Sequence, residues 1–477
     1  MNLGRWDVYR EQIRLSDAGV PEVLFQGNWE AMIKAEETFN VRGGEAVHEV
    51  VWSSARHGPV LVGDPLTDNE VCCARWGLME PAHDMDAILA MHRAANVSEA
   101  TEAARLFDSV SGNFCIADLA GDVVYQYSGR LPKRPPMPVP MPGWTGEHEW
   151  TGDVPKDELP HELNPAAGFV FSANNRTTTE DYPHYLTTGH TRFRADRLHE
   201  LFHAHEGSFT RDDARAFQAD ETSVAAREFA QAVCELVAAD AAAATAGAEV
   251  LEMLRGWDGL LGEHDSTPLA YHELANSMIK LTVRPFYSPK TGNFWGEEMR
   301  ILHDQLMQGN DLMLGEFGDW AAVVLAALPD AVEMLHSKHG ADASAWEWGV
   351  VHRVAWRHSL GRDDADLFNL TGTSTVPHLP LGGDGNTTCC LVGDYKAAGT
   401  HGVSYRQLFD LSDLNAAEIV IPPGNSGRVG SPHAADNLER WKSVDYHPLF
   451  VEWSDIEVHK HAETALTPQG WEEGAKL

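Results

Sequence analysis

The pattern His199-Glu200-Leu201-Phe202-His203 is the most recognisable arrangement of chemically active side chains in the sequence, because it matches HExxH. On a helix, two histidines four residues apart share a face and could bind Zn²⁺, with Glu200 as the general base. No third ligand follows at a spacing typical of zinc enzymes, since His205 lies off that face. So short a pattern also recurs by chance in a chain with 24 histidines. A zinc hydrolase is therefore a minor alternative, beside a surface helix with both histidines facing solvent.

Other residue patterns indicate no further known type of site. The six cysteines form two adjacent pairs and two singles, which is neither a disulfide framework nor the CxxC spacing of a metal site. The sequence contains no GxSxG motif, no P-loop and no GxGxxG after a predicted strand. Acidic pairs occur throughout the chain and single out no glycosidase-like site.

Charge and hydropathy exclude two classes of partner. The chain has 71 acidic and 36 basic residues, for a net charge of −35, and such a surface repels the phosphate backbone of nucleic acids. No run of about 18 apolar residues exists, so we expect no transmembrane helix. The first seven residues lack the basic and apolar pattern of a secretory signal, and the compartment stays open.

The first part of the chain is predicted to be rich in strands. The predicted strands cover residues 47–52, 58–62, 114–118 and 123–127. The last two flank the turn Ala120-Gly121-Asp122, which indicates a hairpin. Residues 85–106 show helical spacing. The residues on the predicted apolar face are Ile88, Met91, His92 and Ala95.

Beyond residue 130 the pattern changes. The proline-rich stretch 131–152 predicts an extended crossing segment. The predicted helices cover residues 192–206, 211–257, 266–281, 296–307, 319–339 and 344–357. Short strands and turns return from Asn386 onward. We therefore predict an α+β chain with a β-rich core at 1–190, a mainly helical region at 191–380 and a β-rich return to the core at 381–477.

Four stretches, in order, resemble motifs of the penicillin amidase family. They are Asn113-Phe114-Cys115-Ile116-Ala117-Asp118 with the hairpin that follows to residue 132; residues 164–183 around Ala173-Asn174-Asn175; Gly256-Trp257-Asp258-Gly259 with Asp265-Ser266-Thr267; and residues 422–449, with Pro422-Pro423-Gly424 and Ser431-Pro432-His433. Together they span about residues 5–455, and chance is a poor explanation for four matches in the right order.

The resemblance implies the αββα sandwich of the N-terminal-nucleophile (Ntn) hydrolases, incomplete here at its N-terminus and with a helical insertion. It also implies cleavage of linear amide bonds through an acyl-enzyme on the N-terminal Ser of a β-chain. The α-amino group of that Ser serves as the base, since an α-amine has a pKa of about 8. The substrates that suit the family are small N-acyl compounds, such as β-lactam side-chain amides and acyl-homoserine lactones.

Four residues match positions with a catalytic or substrate-binding role in that family. Asn174 matches the oxyanion-hole amide, whose NH₂ faces the developing negative charge, although an Asn also suits a tight turn. Arg194, or alternatively Arg192, stands where an arginine orients this region. Met91 and Gly112 match residues that line the acyl pocket, and they would make it wide and adaptable. For Met91, a core methionine is the simpler alternative.

Asp7 matches an acidic calcium ligand of the family. The partner expected three residues earlier is Gly4, and a further carboxylate position is Leu186. One carboxylate is a poor cage for a cation that takes about six to eight oxygen ligands. We therefore expect no required cofactor, and a structural calcium ion is a possibility that rests on Asp7 alone.

The family segment that carries the nucleophilic Ser has no match in the sequence. We expect an α-chain or a missing N-terminal segment to be the partner of this chain, and the 477-residue chain alone to be inactive. A non-catalytic remnant that binds only a ligand or a partner chain is the alternative. Loss of core strands would leave unpaired edges and an exposed apolar face.

Overall fold

The computed structural model describes residues 6–186, 191–238, 245, 247–286, 295–354, 379–391, 402–428 and 430–466. Its contacts divide into two compact units, Met1–Ala195 and Asp196–Leu477. The predicted boundary at residue 190 lies outside the described residues, five positions before the end of the first unit. The boundary predicted at residue 380 falls inside the second unit, so the division into three regions stays a prediction.

The first unit contains most of the strands. They are β1 (Trp6–Leu15), β2 (Pro21–Phe25), β3 (Asn28–Ala31), β4 (Ile33–Phe39), β5 (Val47–Ser54), β6 (Gly58–Val62), β7 (Glu70–Trp76), β8 (Gly112–Ala117), β9 (Val123–Ser128), β10 (Met141–Pro142) and β11 (His161–Leu163). The strands predicted at 47–52, 58–62, 114–118 and 123–127 are confirmed. The α+β class is likewise confirmed by the mixture of strands and helices.

The larger sheet of this unit runs β3-β2-β1-β7-β6-β5-β4, with antiparallel neighbours throughout, and β10 adds to β1 in parallel. Alternate residues of a strand face opposite sides, and β1 buries Asp7, Tyr9, Glu11 and Ile13 on one of them. Two carboxylates therefore lie on the buried side of a strand, where each needs a hydrogen-bonding or charged partner.

β8 and β9 form the predicted hairpin, and β11 extends it to a three-stranded sheet. Gly121 has a φ of 92° in the connecting turn, a conformation that glycine adopts without steric cost. The stretch 131–152 is extended over most of its length, as predicted, and contributes β10 and a 3₁₀ turn at Gly143–Thr145.

The helical stretch predicted at 85–106 contains two helices, α1 (Asp84–Arg93) and α2 (Val97–Leu106). The break occurs because Asn96 is extended and caps α2: its side chain accepts a hydrogen bond from the backbone N–H of Glu99 at 2.9 Å. The predicted apolar face is also wrong, since Ala87 is the buried position of α1 while Ile88 and His92 are exposed.

Helices dominate the chain after residue 192. They are α3 (Phe193–Ala204), α4 (Arg211–Ala219), α5 (Val224–Leu236), α6 (Ala248–Leu254), α7 (Thr267–Thr282), α8 (Trp295–Gln308), α9 (Trp320–His339), α10 (Leu438–Lys442) and α11 (Trp453–His459). In the second unit, α7 is buried around nearly its whole circumference and packs against α6, α8 and α9. The predictions at 192–206, 266–281, 296–307 and 319–339 are confirmed.

The stretch 211–257 is largely helical within its described residues, as predicted, but it contains three separate helices, α4, α5 and α6. The side chain of Asp220 accepts a hydrogen bond from the backbone N–H of Thr222 at 3.1 Å, which ends the helical path after α4. The Ser223 hydroxyl then accepts from the backbone N–H of Ala226 at 3.3 Å and starts α5.

The helix predicted at 344–357 is wrong within the described residues. Two 3₁₀ turns, Ala343–Ala345 and Trp348–Val350, occupy it instead. Trp346 and Trp348 are both buried, and the backbone N–H of Trp348 donates to the carbonyl oxygen of Asp265 at 3.0 Å rather than along a helix. The indole N–H of Trp348 bonds to a distant carbonyl as well, that of Gly383.

Short strands return near the C-terminus, as predicted. The remaining strands are β12 (Arg353–Val354), β13 (Leu379–Pro380), β14 (Arg406–Leu408), β15 (Glu418–Val420) and β16 (His447–Pro448). Within the part of the chain that the structure describes, no helix combines the length and the apolar character needed to cross a membrane.

Gly259→Ala is expected to destabilise the second unit by about 3–5 kcal/mol. The φ of Gly259 is 84°, and a Cβ there would lie 2.4 Å from the carbonyl oxygen of Ser223, whose N–H donates to the Gly259 carbonyl. Gly256→Ala is the matched control, since its φ is 69° but a Cβ would meet nothing within 4 Å. The control is expected to lose about 1–2 kcal/mol. Urea unfolding compares the two, and equal losses would contradict the backbone clash.

Candidate active site

Asn174 lies in a turn of the first unit, directly after the buried Ala173. Its φ is 64°, in the left-handed region that Asn enters more readily than most residues. The neighbouring Asn175 stabilises the same turn, because its Oδ1 accepts a hydrogen bond from the backbone N–H of Ala173 at 3.0 Å. The exposed side chain of Asn174 therefore stands on a backbone that its neighbours hold in place.

Arg194, in the first turn of α3, donates a hydrogen bond from Nη2 to Oδ1 of Asn174 at 2.5 Å. A guanidinium group has donors and no acceptor, so the end of the amide that faces Arg194 is its oxygen. The NH₂ group of Asn174 is then on the other side of the amide. The guanidinium of Arg192 instead lies 5.0 Å from the ring centroid of Phe193. Of the two candidate arginines, the structure places Arg194 against Asn174.

Two hydrogen bonds join this turn to the β8–β9 hairpin, and a third links the two strands of the hairpin. Asn113 Nδ2 donates to the Ser172 hydroxyl at 2.7 Å. The Tyr125 hydroxyl lies 2.6 Å from Asn113 Oδ1 and 2.7 Å from the Thr177 hydroxyl. Sequence reasoning gave these four residues no role. The strand pairing of the predicted hairpin could have identified two of them. It places Asn113 and Tyr125 on one face as diagonal neighbours, within reach of long side chains.

Gly112 lies beside Asn113 at the start of β8, and its backbone N–H donates to the Ser128 hydroxyl at 3.1 Å. The fold thus brings Gly112 close to the residues that hold the Asn174 turn. Met91 is half-buried in the last turn of α1. Its helix α1 packs against α2, which in turn packs against β8 and β9.

A cavity of about 180 Å³ lies beside Trp150 in the first unit. The guanidinium of Arg75 is 4.5 Å from the Trp150 ring centroid, and the indole N–H donates to Asp7 Oδ2 at 2.7 Å. The residues that line the cavity are Arg75, Gly77, Glu80, Arg130, Pro132, Trp150, Gly152 and Asp153. The lining combines two arginines, two carboxylates and the Trp150 indole, so the cavity suits a small ligand with both polar and apolar parts.

Asp7 is buried and forms an ion pair with Arg134, whose side chain is also buried. Its charge is therefore neutralised by the protein itself. Leu186 is buried in an apolar cluster, and its side chain offers no oxygen ligand. Among the described residues, no group of three or more His, Cys, Asp or Glu side chains could hold a metal ion. The surroundings of Asp7 do not fit a calcium ion, which requires about six to eight oxygen ligands.

The HExxH residues lie on α3, with the rings of His199 and His203 5.8 Å apart. His203 Nδ1 donates to the carbonyl oxygen of His199 at 2.7 Å. Glu200 forms ion pairs with Arg197 and Arg227. Burial favours a higher pKa for Glu200, but the two guanidinium groups outweigh it and hold the pKa below its ordinary value. The predicted helical geometry is present, but the glutamate is committed to ion pairs rather than to a water molecule.

Comparison with known proteins identifies relatives over nearly the whole chain. The family model described as penicillin amidase matches residues 2–458. The chain is similar to the penicillin acylase 2 proenzyme of Pseudomonas sp. (strain SE83), at 27% identity over 93% of this chain and 57% of that protein. It is 26% identical to the acyl-homoserine lactone acylase QuiP of Pseudomonas syringae pv. syringae, over 94% of this chain and 57% of that protein.

The chain therefore spans a little over half the length of these curated relatives. Among solved structures, it is similar to a thermostable penicillin G acylase from Alcaligenes faecalis, with a TM-score of 0.68 at 20% identity. The match covers 99% of this chain and 87% of that chain. This likeness shows that the two chains share a fold.

Proposed function

The chain belongs to the penicillin amidase family, and on that basis we propose that it forms part of an amidase for N-acyl compounds. The curated relatives are named for penicillins and acyl-homoserine lactones, so β-lactam side-chain amides and N-acyl lactones are the substrates to test. We also propose that segments outside this chain complete its strands to an αββα sandwich.

The proposed reaction passes through an acyl-enzyme on an N-terminal Ser outside this chain. The Ser oxygen adds to the amide carbonyl carbon while its proton passes to the α-amino group of the same residue. The tetrahedral intermediate carries an oxyanion, and it collapses as the amine leaves with a proton. Water then releases the free acid from the Ser ester. The contribution of this chain is to stabilise the oxyanion.

The observation that carries the proposal is the hydrogen bond from Arg194 to the Asn174 side-chain oxygen. An amide whose oxygen is held in this way resists flipping, so its NH₂ is the group presented on the opposite side. A donor fixed before the reaction costs no reorganisation when negative charge develops. The hydrogen bonds of Asn113 and Tyr125 support the same geometry from the hairpin.

The test is to produce this chain together with a nucleophile-bearing segment. The DNA upstream of codon 1 is read in all frames, and the longest precursor that contains a Ser-bearing segment is expressed. Phenylacetyl and long-chain acyl amides are then assayed for release of the free acid. We expect turnover by the complete precursor and none by the 477-residue chain. Turnover by this chain alone would overturn the assignment of the nucleophile, and a processed precursor inactive on every N-acyl substrate would overturn the function.

We propose one face of the β4–β5 hairpin as the surface that the missing segment or α-chain covers. Strand pairing places Ile33, Phe39, Val47 and Val51 on the same side of the hairpin. All four are exposed, Ile33 and Phe39 by more than half of their surface. Glu37 and Glu49 pair with each other between these apolar residues on the same face. Large apolar side chains exposed beside charged ones are typical of an interaction site.

Replacing Ile33 and Phe39 together by Ser is expected to make the isolated chain more soluble and to weaken its association with the nucleophile-bearing segment about tenfold to a hundredfold. Full burial of a side chain of this size contributes about 1.5–3 kcal/mol. Because about half of the surface of Ile33 and Phe39 is still exposed, the two together would contribute roughly 1.5–3 kcal/mol. The matched control replaces Lys34 and Thr38, which lie on the opposite face of β4. Sedimentation of the mixed components measures association, and equal losses in both double variants would argue against this interface.

A further inference from the structure

His57 lies between two carboxylates inside the first unit. Its Nδ1 is 2.5 Å from Glu11 Oε1, and its Nε2 is 2.5 Å from Glu149 Oε1. The His57 side chain is 1% exposed, that of Glu11 2% and that of Glu149 23%. An ionised carboxylate accepts hydrogen bonds and donates none, so both ring nitrogens of His57 must carry a proton. The ring is therefore an imidazolium that bridges two anions.

The packing around the ring is close. Tyr9 stacks on it with ring centroids 3.8 Å apart and planes 12° from parallel. A Cβ added to Gly143 would lie 2.6 Å from Glu11 Oε2 and 3.0 Å from His57 Nδ1. The backbone at Gly143 thus covers the buried pair directly, and a larger residue there would separate its two partners.

Residues 141–150, which we call the strap, are bound to the larger sheet along their whole length. The contacts are Met141 paired with Tyr9, the Gln26 N–H donating to the Trp144 carbonyl at 2.9 Å, the Tyr9 hydroxyl donating to the His148 carbonyl at 2.9 Å, Glu149 against His57, and Trp150 against Asp7. Of these, the contact with His57 depends on the side chain that titrates nearest to neutral pH.

We propose that His57 is a positioning residue that acts as a pH-sensitive latch: as an imidazolium it holds the strap on the sheet, and loss of its proton releases the strap together with the Trp150 wall of the cavity. The inference does not depend on the proposed amidase function. It concerns the binding of one segment of the chain to its own sheet.

Glu149 is the partner that leaves when the ring becomes neutral. A neutral imidazole has one N–H, so its second nitrogen turns a lone pair toward a carboxylate oxygen 2.5 Å away. Glu11 is enclosed and has no route to water. Glu149 is partly exposed, and its Oε2 lies 3.7 Å from Arg75 Nη1, which offers an alternative partner. The strap therefore opens at its Glu149 end.

The other charged and titratable groups around His57 and its two partners lie on β1, β3, β7, the turn before β6 and the strap itself, which also carries His148. Arg56, in the turn before β6, is ion-paired with Glu30 of β3 at 2.8 Å, and Arg75 of β7 faces Glu149. Burial raises the pKa of the Cys73 thiol to about 12. Burial, with the Asp7 and Glu149 charges, also raises the pKa of the Tyr9 hydroxyl above its ordinary value.

The pKa of His57 itself is raised above its ordinary 6.5. Burial acts to lower it, but the hydrogen bonds to Glu11 and Glu149 outweigh burial. The stabilisation by the latch is therefore complete below pH 6.5 and is lost as the pH rises through the folded-state pKa of His57. Burial acts to raise the pKa of Glu149, but the contact with His57 outweighs it, and the pKa is lowered overall. Glu149 therefore loses its charge, and the latch its second anion, only at a pH below the ordinary range of a glutamate. The strap is held most firmly in weakly acidic solution.

Hydrogen–deuterium exchange of the 477-residue chain, corrected for the intrinsic exchange rate at each pH, tests the latch. Protection of the strap is expected to fall by up to about tenfold per pH unit above pH 6.5 and then to level off, as release of one proton requires. Peptides from β8 and β9 should keep their protection. Glu149→Gln should remove the pH dependence, because a glutamine amide can donate to the unprotonated ring nitrogen.

His57→Gln should leave the strap weakly protected at every pH. His148→Gln is the matched control, because it removes the other histidine of the strap while keeping the backbone carbonyl that Tyr9 binds, and it should behave like the wild type. Strap protection that does not change with pH in the wild type, or an alkaline loss that persists in Glu149→Gln, would overturn the proposal. If His57→Gln fails to fold, the comparison of the wild type with Glu149→Gln still tests whether the alkaline loss of strap protection depends on the contact between His57 and Glu149.

Discussion

Asn174→Gly is expected to lower kcat of the complete enzyme about 10²- to 10³-fold, or roughly 3–4 kcal/mol, which is the usual effect of removing one oxyanion donor. Glycine accepts the φ of 64° at this position without strain, so the turn and the stability of the fold should persist. The substitution thus separates the two interpretations of Asn174. An amide needed only for the turn can be replaced by glycine, and an amide needed for the oxyanion cannot.

Asn164→Gly is the matched control for this measurement. Asn164 also has a positive φ, 50°, but its side chain serves the turn itself: Oδ1 accepts from the Val123 N–H at 2.9 Å, and Nδ2 donates to Asp122 at 2.8 Å. We expect Asn164→Gly to lower stability by about 1 kcal/mol and to leave kcat unchanged. If Asn174→Gly retains full kcat in an enzyme that is otherwise active, Asn174 is a turn residue.

Asp7→Ala is expected to destabilise the first unit by about 3–5 kcal/mol, because it leaves the charge of Arg134 buried without its partner. The two side chains are 4% and 1% exposed, so water cannot replace the carboxylate. The double variant Asp7→Ala/Arg134→Met removes both charges and should recover a large part of the loss. Urea unfolding of the two single variants and the double variant measures the coupling. Additive losses would mean that the pair does not act as a unit.

The same unfolding measurements bear on calcium. Since Arg134 already neutralises Asp7, we expect no shift in the Tm of the wild-type chain on addition of calcium or of a chelator. An increase in Tm with calcium would show that a cation site exists in spite of the ion pair, and Asp7→Ala would then be expected to abolish that increase.

The parts of the fold that depend on local signals were predicted from the sequence. The β8–β9 hairpin follows from alternating residues around Gly121, and α7, α8 and α9 follow from long helical periodicity. The helical pattern at 85–106 is interrupted at Asn96. Its side chain caps the second helix through a hydrogen bond, although the apolar spacing continues through this residue. At 344–357, two tryptophans fill the core of the second unit, and their packing overrides the helical preference of the intervening residues.

The candidate site was predicted in part. The motifs predict a role for Asn174 and for one of two arginines. The choice of Arg194 over Arg192 depends on the hydrogen bond from Arg194 to Asn174, which only the structure provides. The bridge through His57 was not predicted, because its partners lie 46 and 92 residues away in sequence. The sequence does contain one indication of it: the alternation of β1 places Glu11 on the same side as Tyr9 and Ile13, and a carboxylate on a buried face needs a hydrogen-bonding or charged partner.

The way the strap is bound determines where foreign sequence can be added to this chain. The proline-rich run that leads into it, at 135–140, is largely exposed, and Val139 has 61% of its surface in solvent. An affinity tag or a fluorescent domain inserted after Val139 would therefore extend from the surface without breaking a strand pair. The same insertion a few residues later, after Trp144, would pull the Glu149 carboxylate from His57 and uncover the interior of the first unit.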